Sequence, residues 1–281
     1  MSVDRSGGVT DRSMRSPAAP IPMNISVLAP AMSVGLFLGM LACLELGYRM
    51  GCRAEAIEGS RAHDGLGAVE AAIFALLGLL LGFAFSGAVS RLDARRQLIV
   101  REANAIGTAY LRLDVLPPSD QPELRRLFRD YLEARFRAYE RVADQGTADR
   151  FIEQAAQLQQ RIWSRAVAAG GLDQTQNTTR VLLPAINDMI DVTTARVVAA
   201  RTRLPGLVLV LLLVVALLSS LTAGYAMAKR KRRSVLHVVL YAAAVATTVY
   251  VVLDLDNPRF GLIRLDATDR ILHDLHDSIR Q

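Results

Sequence analysis

The feature that most constrains this chain is a set of four long segments that contain no Asp, Glu, Lys or Arg. They are residues 21–44, 71–90, 204–228 and 234–253. A helix needs about 20 residues to cross the roughly 30 Å hydrocarbon core of a bilayer, and all four segments are long enough. Buried helices of soluble proteins rarely run this far without a charge. The sequence therefore predicts an all-α protein with four transmembrane helices.

Residues 91–203, between the second and third spans, read as a water-facing helical bundle. No proline interrupts residues 71–116, so the second span is predicted to continue as one helix into water. That helix is predicted to stop at Pro117–Pro118. Its apolar residues recur every seven positions, which is typical of a helix–helix seam. The seam consists of Leu92, Ile99, Ile106 and Leu113.

Three further helices are predicted in this domain. The first begins at Asp120, and the second runs from near Thr147 to Gly170–Gly171, where two glycines favour a helix end. The third begins near Thr179, or only at Pro184, and becomes the third span at Pro205. We thus divide the chain into a membrane part at 21–90, a helical domain at 91–203 and a membrane hairpin at 204–253.

The two ends of the chain differ from this pattern. Residues 1–20 are rich in Ser, Gly, Pro and Arg and are expected to be disordered. Residues 254–281 form a tail with a short amphipathic helix, on which His276 lies three residues after His273. A solvated helix face is the simpler interpretation of that pair than a metal site. Asp254 and Asp256, at the start of the tail, are expected to pair with Arg259 or Arg264.

The chain is basic, with a formal net charge of +6 and a sequence pI of about 9.7. Apolar segments of spanning length favour a bilayer over a nucleic acid as the partner of these cations. The five cations at 229–233 join the third and fourth spans. They either contact anionic lipid or simply flank the hairpin.

No enzyme chemistry is visible in the sequence. Cys43 lies in the first span and Cys52 is expected in the loop after it, and this spacing fits neither a disulfide framework nor a zinc site. The sequence contains no nucleophile elbow, phosphate loop or metalloprotease motif. We therefore expect a protein that is not an enzyme and that has no cofactor or metal.

Small residues recur every fourth position in the first two spans. The stripes include Gly35 and Gly39 in the first span, and Gly78 and Gly82 in the second. Such stripes let membrane helices approach closely. They predict that spans one and two pack against each other or against a neighbouring subunit. Together with the Leu92–Leu113 seam, they predict a homo-oligomer.

Three stretches resemble the bacterial bestrophin-like membrane proteins. They are "GFAFSGAVSRLDARRQLIVREANAIGTAYLRLD", "LLPAINDMIDVTTARV" and "LDLDNPRFGLIRLD". The resemblance covers about 200 residues, from the second span to the fourth. The chain is more weakly similar to the bestrophins themselves, which are pentameric anion channels with a Gly-Phe and a later Arg-x-x-acid-Ala-Arg segment on their second membrane helix.

Here Gly82–Phe83 is followed by Arg91-Leu-Asp93-Ala94-Arg95, which is one residue shorter. Ala84, Phe85 and Ser86 replace the polar residues that bestrophins place after Gly-Phe. The bestrophin likeness implies a pore for chloride or other small anions. Under it, the pore wall would consist of Leu79, Phe83 and Ser86. The anion-attracting rings would consist of Arg91, Arg95 and Arg96.

Two alternatives remain open from the residues. In the first, Phe83 and Phe85 face lipid and the arginines only mark the membrane interface. In the second, the protein is a non-conducting scaffold or sensor whose helical domain binds a partner. The bestrophin likeness also implies a bacterial inner membrane protein. Its N-terminus, helical domain and tail would then be cytoplasmic.

Overall fold

The computed structural model describes residues 25–58, 66–140, 145–172, 178–228, 235–256, 271 and 274–279. These residues form seven long α-helices and no strand, which confirms the predicted all-α fold. The helices are α1 (Ile25–Glu58), α2 (Leu66–Leu111), α3 (Gln121–Glu140), α4 (Gln145–Leu172), α5 (Leu183–Arg201), α6 (Gly206–Ala228) and α7 (Val235–Asp256). Residues 274–279 are also helical.

Four stretches of these helices are long and apolar enough to cross a membrane, as the sequence predicts. They are Leu28–Ile57, Gly67–Val115, Arg180–Ala228 and Leu236–Asp256. The third stretch combines α5 and α6, which are separated only by a short break at 202–205. Pro205 lacks an N–H group and therefore interrupts the series of backbone hydrogen bonds of the helix at that point.

Helix α2 is continuous from the membrane segment into the helical domain, as predicted. It has 46 residues, which at 1.5 Å per residue gives a rod of about 69 Å. It ends in a 3₁₀ turn, Arg112–Val115, immediately before Pro117–Pro118. The water-facing bundle is thus connected to the membrane part through α2 on one side and through α5, which leads into α6, on the other.

The predicted seam on α2 is buried inside the chain itself. Leu92, Ile99, Ile106 and Leu113 all belong to the core, which α3, α4 and α5 complete. The apolar side chains of the seam are therefore buried within a single copy of the chain. The expectation that it would contribute to assembly with a second copy is wrong, because its apolar surface is already covered.

One helix boundary differs from the sequence-based expectation, and a second one that was left open is decided by the structure. Helix α1 runs on to Glu58, so Cys52 lies in a helix and not in a loop. The extension carries an ion pair one turn apart, between Arg49 and Glu45 at 2.8 Å, which suits a helix surface. The helix that leads into the third span begins with a π-helical segment at Thr178–Leu182, and α5 follows directly from Leu183, so the earlier of the two predicted starts is the observed one.

The close helix contact in the membrane part joins α1 to α6. A Cβ atom added at Gly224 would lie 2.0 Å from the backbone oxygen of Leu44, and one added at Gly47 would lie 2.0 Å from that of Leu221. Only glycine permits the two backbones to approach this closely. The predicted stripe of the first span did not include this contact, because its glycines, Gly35 and Gly39, lie nearer the N-terminal end of α1.

The glycines that the sequence singled out are in different surroundings. A Cβ atom at Gly35, Gly78 or Gly82 would meet nothing within 4 Å, and one at Gly39 would meet Leu217 of α6 at 3.2 Å. These glycines therefore do not join spans one and two within the chain. Their role in contacts with a neighbouring subunit stays a prediction.

Candidate functional site

One side of α2 is not covered by any other described part of the chain. Leu79 is 54% exposed, Phe83 is 67% exposed and Ser86 is also exposed. At about 100° per residue, Phe83 and Ser86 project within about 40° of the direction of Leu79. The three residues of the predicted pore wall therefore share one uncovered face of the membrane segment.

This face continues into the helical domain and becomes polar. The exposed residues that follow at spacings of three and four are Ser90, Asp93, Gln97, Arg101, Asn104 and Thr108. All of them project within about 40° of the direction of Leu79. We call the whole set, from Leu79 to Thr108, the α2 stripe. Arg101 was not singled out from the sequence, although its spacing from Leu79 along the helix would have shown it.

Arg91 and Arg95 project to the other side of α2, about 120° and 160° from Leu79. Arg95 is buried and donates three hydrogen bonds to backbone oxygens: to Ala199 at 3.2 Å, to Thr202 at 2.6 Å and to Asp256 at 2.9 Å. It thereby joins α2 to the break between α5 and α6 and to the end of α7.

Asp256 is the carboxylate at this junction. Its Oδ1 accepts a hydrogen bond from Arg91 Nε at 2.7 Å, and its Oδ2 accepts one from the backbone N–H of Leu204 at 2.7 Å. The expected pairing of Asp256 with an arginine of the tail is therefore corrected: its partner lies on α2, 165 residues away. Arg259 and Arg264 lie outside the described residues.

Arg96 differs from the other two arginines of the predicted rings. Its side chain lies on the surface, 3.5 Å from the Asp93 carboxylate. Arg91 and Arg95 are bonded within the chain, whereas Arg96 remains accessible to solvent. The anion-attracting role of all three stays a prediction. Their surroundings differ: Arg91 pairs with a carboxylate, Arg95 with backbone oxygens, and Arg96 lies at the surface.

A second cluster of charges lies inside the helical domain. The carboxylate of Glu102, on α2, is fully buried and contacts two guanidinium groups. Arg135 of α3, which is 2% exposed, lies 2.6 Å from Oε1, and Arg196 of α5 contacts Oε2. This cluster ties together three helices whose residues are far apart in the sequence. Sequence reasoning missed it because no local pattern marks a buried charge.

The C-terminal helical segment 274–279 packs against the bundle. His276 Nε2 lies 2.9 Å from Glu133 Oε2, and its ring stacks on Phe136. Burial opposes ionisation of Glu133, but hydrogen bonds from His276 and Arg137 outweigh burial and lower the pKa of this carboxyl. His273 lies outside the described residues. Among the residues that the structure does describe, no three His, Cys, Asp or Glu side chains form a group that could hold a metal ion.

These features define a class: an all-α membrane protein with four spans and a helical bundle inserted between the second and the third. Residues 52–268 match the model of the Bestrophin-like domain. The match covers most of the chain, and the chain belongs to the Bestrophin-like family. Neither the curated proteins nor the solved structures contained a match to it.

Proposed function

We propose that this membrane protein is an oligomeric anion channel whose pore is lined by the α2 stripe. The observation that carries the proposal is the continuity of the stripe. It follows one side of a single helix through the membrane and on into the helical domain, and no described part of the chain covers it. It is apolar at Leu79 and Phe83 and polar from Ser86 onward, which suits a narrow apolar gate followed by a wet vestibule.

The pore requires several copies of the chain, because one α2 helix cannot enclose a path. The resemblance to the pentameric bestrophins supports a ring in which α2 of each subunit faces the centre. Leu79 and Phe83 would narrow the path by dewetting. Gly78 and Gly82 face open space beside them and would allow neighbouring subunits to approach.

Charge selection in this proposal is divided between two sets of arginines. Arg101 lies on the α2 stripe and would meet anions directly at the mouth, whereas Arg96 is exposed about 100° from Leu79 and would attract them from beside the stripe. Arg91 and Arg95 lie behind α2 and would add a fixed positive field without touching the ion. Asp93, which lies beside Arg96, reduces the positive charge at the mouth.

Chloride flux into liposomes that contain the purified protein tests the channel. Phe83→Ala should raise the flux, because it removes the bulkiest side chain of the narrow turn. Phe85→Ala is the matched control: Phe85 is also exposed on α2 but projects about 160° away from Phe83. Phe85→Ala should leave the flux unchanged.

The result that contradicts the channel is equally definite. The channel proposal is refuted if neither the native protein nor Phe83→Ala conducts above empty liposomes while both are folded and oligomeric. The alternative is then a non-conducting scaffold or sensor. A scaffold would tolerate Phe83→Ala and would be sensitive to substitutions at exposed positions of α3 and α4.

Assembly has its own test. Gly78→Leu together with Gly82→Leu should shift the protein to smaller species in light scattering after gel filtration. Gly67→Leu, at the start of α2, faces open space as well and should be neutral. A monodisperse native monomer in mild detergent would contradict the proposal.

Orientation in the inner membrane completes the proposal, with the helical domain in the cytoplasm. Gly146, at the exposed start of α4, is a suitable position for a cysteine. In a variant without Cys43 and Cys52, Gly146→Cys should react with a membrane-impermeant thiol reagent only after the cells are opened. Labelling on intact cells would place the domain outside.

A further inference from the structure

The C-terminal helical segment 274–279 is attached to the bundle by a small set of side chains. Ile279 is buried in the core, and Leu275 packs against it. Leu275 Cδ1 would lie 3.4 Å from a Cβ atom added at Gly107 of α2, and His276 lies against α3. A helix of six residues is not stable in water by itself. The helical form of this segment therefore depends on its contacts with α2 and α3.

Both ring nitrogens of His276 face carboxylate oxygens. Nε2 lies 2.9 Å from Glu133 Oε2, and Nδ1 lies 3.3 Å from Asp277 Oδ1. A neutral imidazole has one N–H donor and one lone pair, so one of these contacts would then set a lone pair against an acceptor. The protonated ring has two donors and satisfies both contacts. The geometry therefore fits the charged ring better than the neutral one.

The other contacts of the ring act in both directions. The ring stacks on Phe136, with centroids 5.6 Å apart and planes 20° apart, and an aromatic face attracts a cation. Arg137 opposes the charge, because its Nε lies 2.8 Å from Glu133 Oε1 and it shares that carboxylate with His276. Burial of the ring, which is 8% exposed at this residue, also opposes the charge.

The remaining neighbours add no further positive charge. Helix α2 carries no Asp, Glu, Lys, Arg or His from 103 to 111, the stretch that surrounds Gly107. On the segment itself, Asp274 is exposed and is negative. The described charges nearest the ring are thus the carboxylates of Glu133 and Asp277 and one guanidinium. This excess of negative charge favours a proton on the ring.

We propose that the segment 274–279 is a pH-sensitive latch. It is held against α2 and α3 while the His276 ring carries a proton on both nitrogens, and it is released more readily when the ring is neutral. The docked state then binds more protons than the released state, so docking weakens as the pH rises. The proposal does not depend on whether the protein conducts ions.

A nitroxide spin label at the exposed position 278 tests the latch in the full-length protein. The label is attached to Ser278→Cys in a chain without Cys43 and Cys52. The ratio of the ordered to the mobile component of its spectrum measures docking. Histidines change charge near neutral pH, so the ratio is followed from about pH 5.5 to about pH 8. It should fall roughly fivefold, the factor by which a charge-assisted hydrogen bond commonly exceeds a neutral one.

The carboxylate of Glu133 does not titrate in this window. Burial opposes its ionisation, but hydrogen bonds from His276 and Arg137 lower the pKa of Glu133. His276→Gln should remove most of the pH dependence, because glutamine can donate to Glu133 but does not titrate. Glu133→Gln should weaken the dependence, because the ring keeps its titration but loses its nearer carboxylate. Asp274→Asn is the matched control on the same segment and should respond to pH as the native chain does.

The latch is refuted by a native ratio that is constant over this window or that rises with pH. A response in His276→Gln as large as the native one would also refute it, and so would loss of the response in Asp274→Asn. If His276→Gln does not dock at any pH, Glu133→Gln decides the question, because it retains the ring. A response as large as the native one in Glu133→Gln would then overturn the proposal.

Discussion

Replacing Glu102 by glutamine should destabilise the helical domain more than the loss of a surface ion pair. The carboxylate lies between the guanidinium groups of Arg135 and Arg196, and all three side chains are buried. Glutamine keeps the size of the side chain but removes its charge. Two positive charges would then remain in the interior without the negative group that lies between them.

The expected cost follows from this burial. Removing one member of a buried ion pair costs about 3–5 kcal/mol, because the remaining charge stays out of water without compensation. The contact between Arg165 and Glu123, at 2.7 Å, is partly exposed on both sides, and such pairs contribute under about 1 kcal/mol. Glu123→Gln is therefore a matched control on the same bundle.

The assay uses the single tryptophan, Trp163, which lies on α4 of the bundle. Its fluorescence in urea reports unfolding of that domain in detergent. With a slope of about 1–3 kcal/mol per M of urea, Glu102→Gln should lower the midpoint by roughly 2 M, and Glu123→Gln by less than about 0.5 M.

Equal midpoint shifts in the two variants would refute this reasoning. A further variant separates charge from packing: Glu102→Leu with Arg135→Met and Arg196→Met removes all three charges together. Replacing a whole buried cluster by apolar side chains of similar volume is often neutral. This triple variant should recover most of the lost stability, and a triple variant as unstable as Glu102→Gln would also contradict the argument.

Three other predictions concern the packing of α1 on α6, the ion pair of Asp256 with Arg91, and the effect of pH. Gly224→Val should abolish the yield of monodisperse protein in gel filtration, because the new side chain would meet the α1 backbone, whereas Gly67→Val should be tolerated. Asp256→Asn should lower the melting temperature by roughly 5 °C or more, since a nearly buried carboxylate that holds an arginine loses its charge. The pKa of Glu133 is lowered in the folded chain, so its contribution to stability is present above the ordinary carboxyl range and is lost as the pH falls through the lowered pKa. Thermal unfolding across acidic pH should therefore show a steeper loss in the native protein than in Glu133→Gln, and parallel curves would refute it.

The family and the membrane class were accessible from the sequence because their signals are local. A segment of about 20 residues without a charge is visible in one window, and its length alone decides whether it can span a bilayer. Proline acts on its own backbone, so Pro117–Pro118 and Pro205 marked helix ends near where the structure has them. The motifs that resemble the Bestrophin-like family are likewise contiguous stretches.

The pairing of helices was decided only by the tertiary structure. Stripes of small residues occur at several places in the first two spans, and the sequence does not show which stripe meets a neighbour. The close contact lies at Gly47 and Gly224, whereas Gly78 faces open space. The difference arises because close approach depends on the crossing point of two helices, which is a property of the whole membrane part.

The same holds for the charged clusters, whose residues are known from the sequence but whose burial and partners are not. The sequence shows that Arg91, Arg95 and Glu102 are charged, but not whether they are in water. In the folded chain Arg91 meets a carboxylate 165 residues away, and Glu102 meets arginines 33 and 94 residues away. The energy of such groups is set by burial and by partners from other helices. The sequence therefore determined which charges the chain carries, and only the packing of α2, α3, α5 and α7 decided which of them hold the fold together and which face solvent.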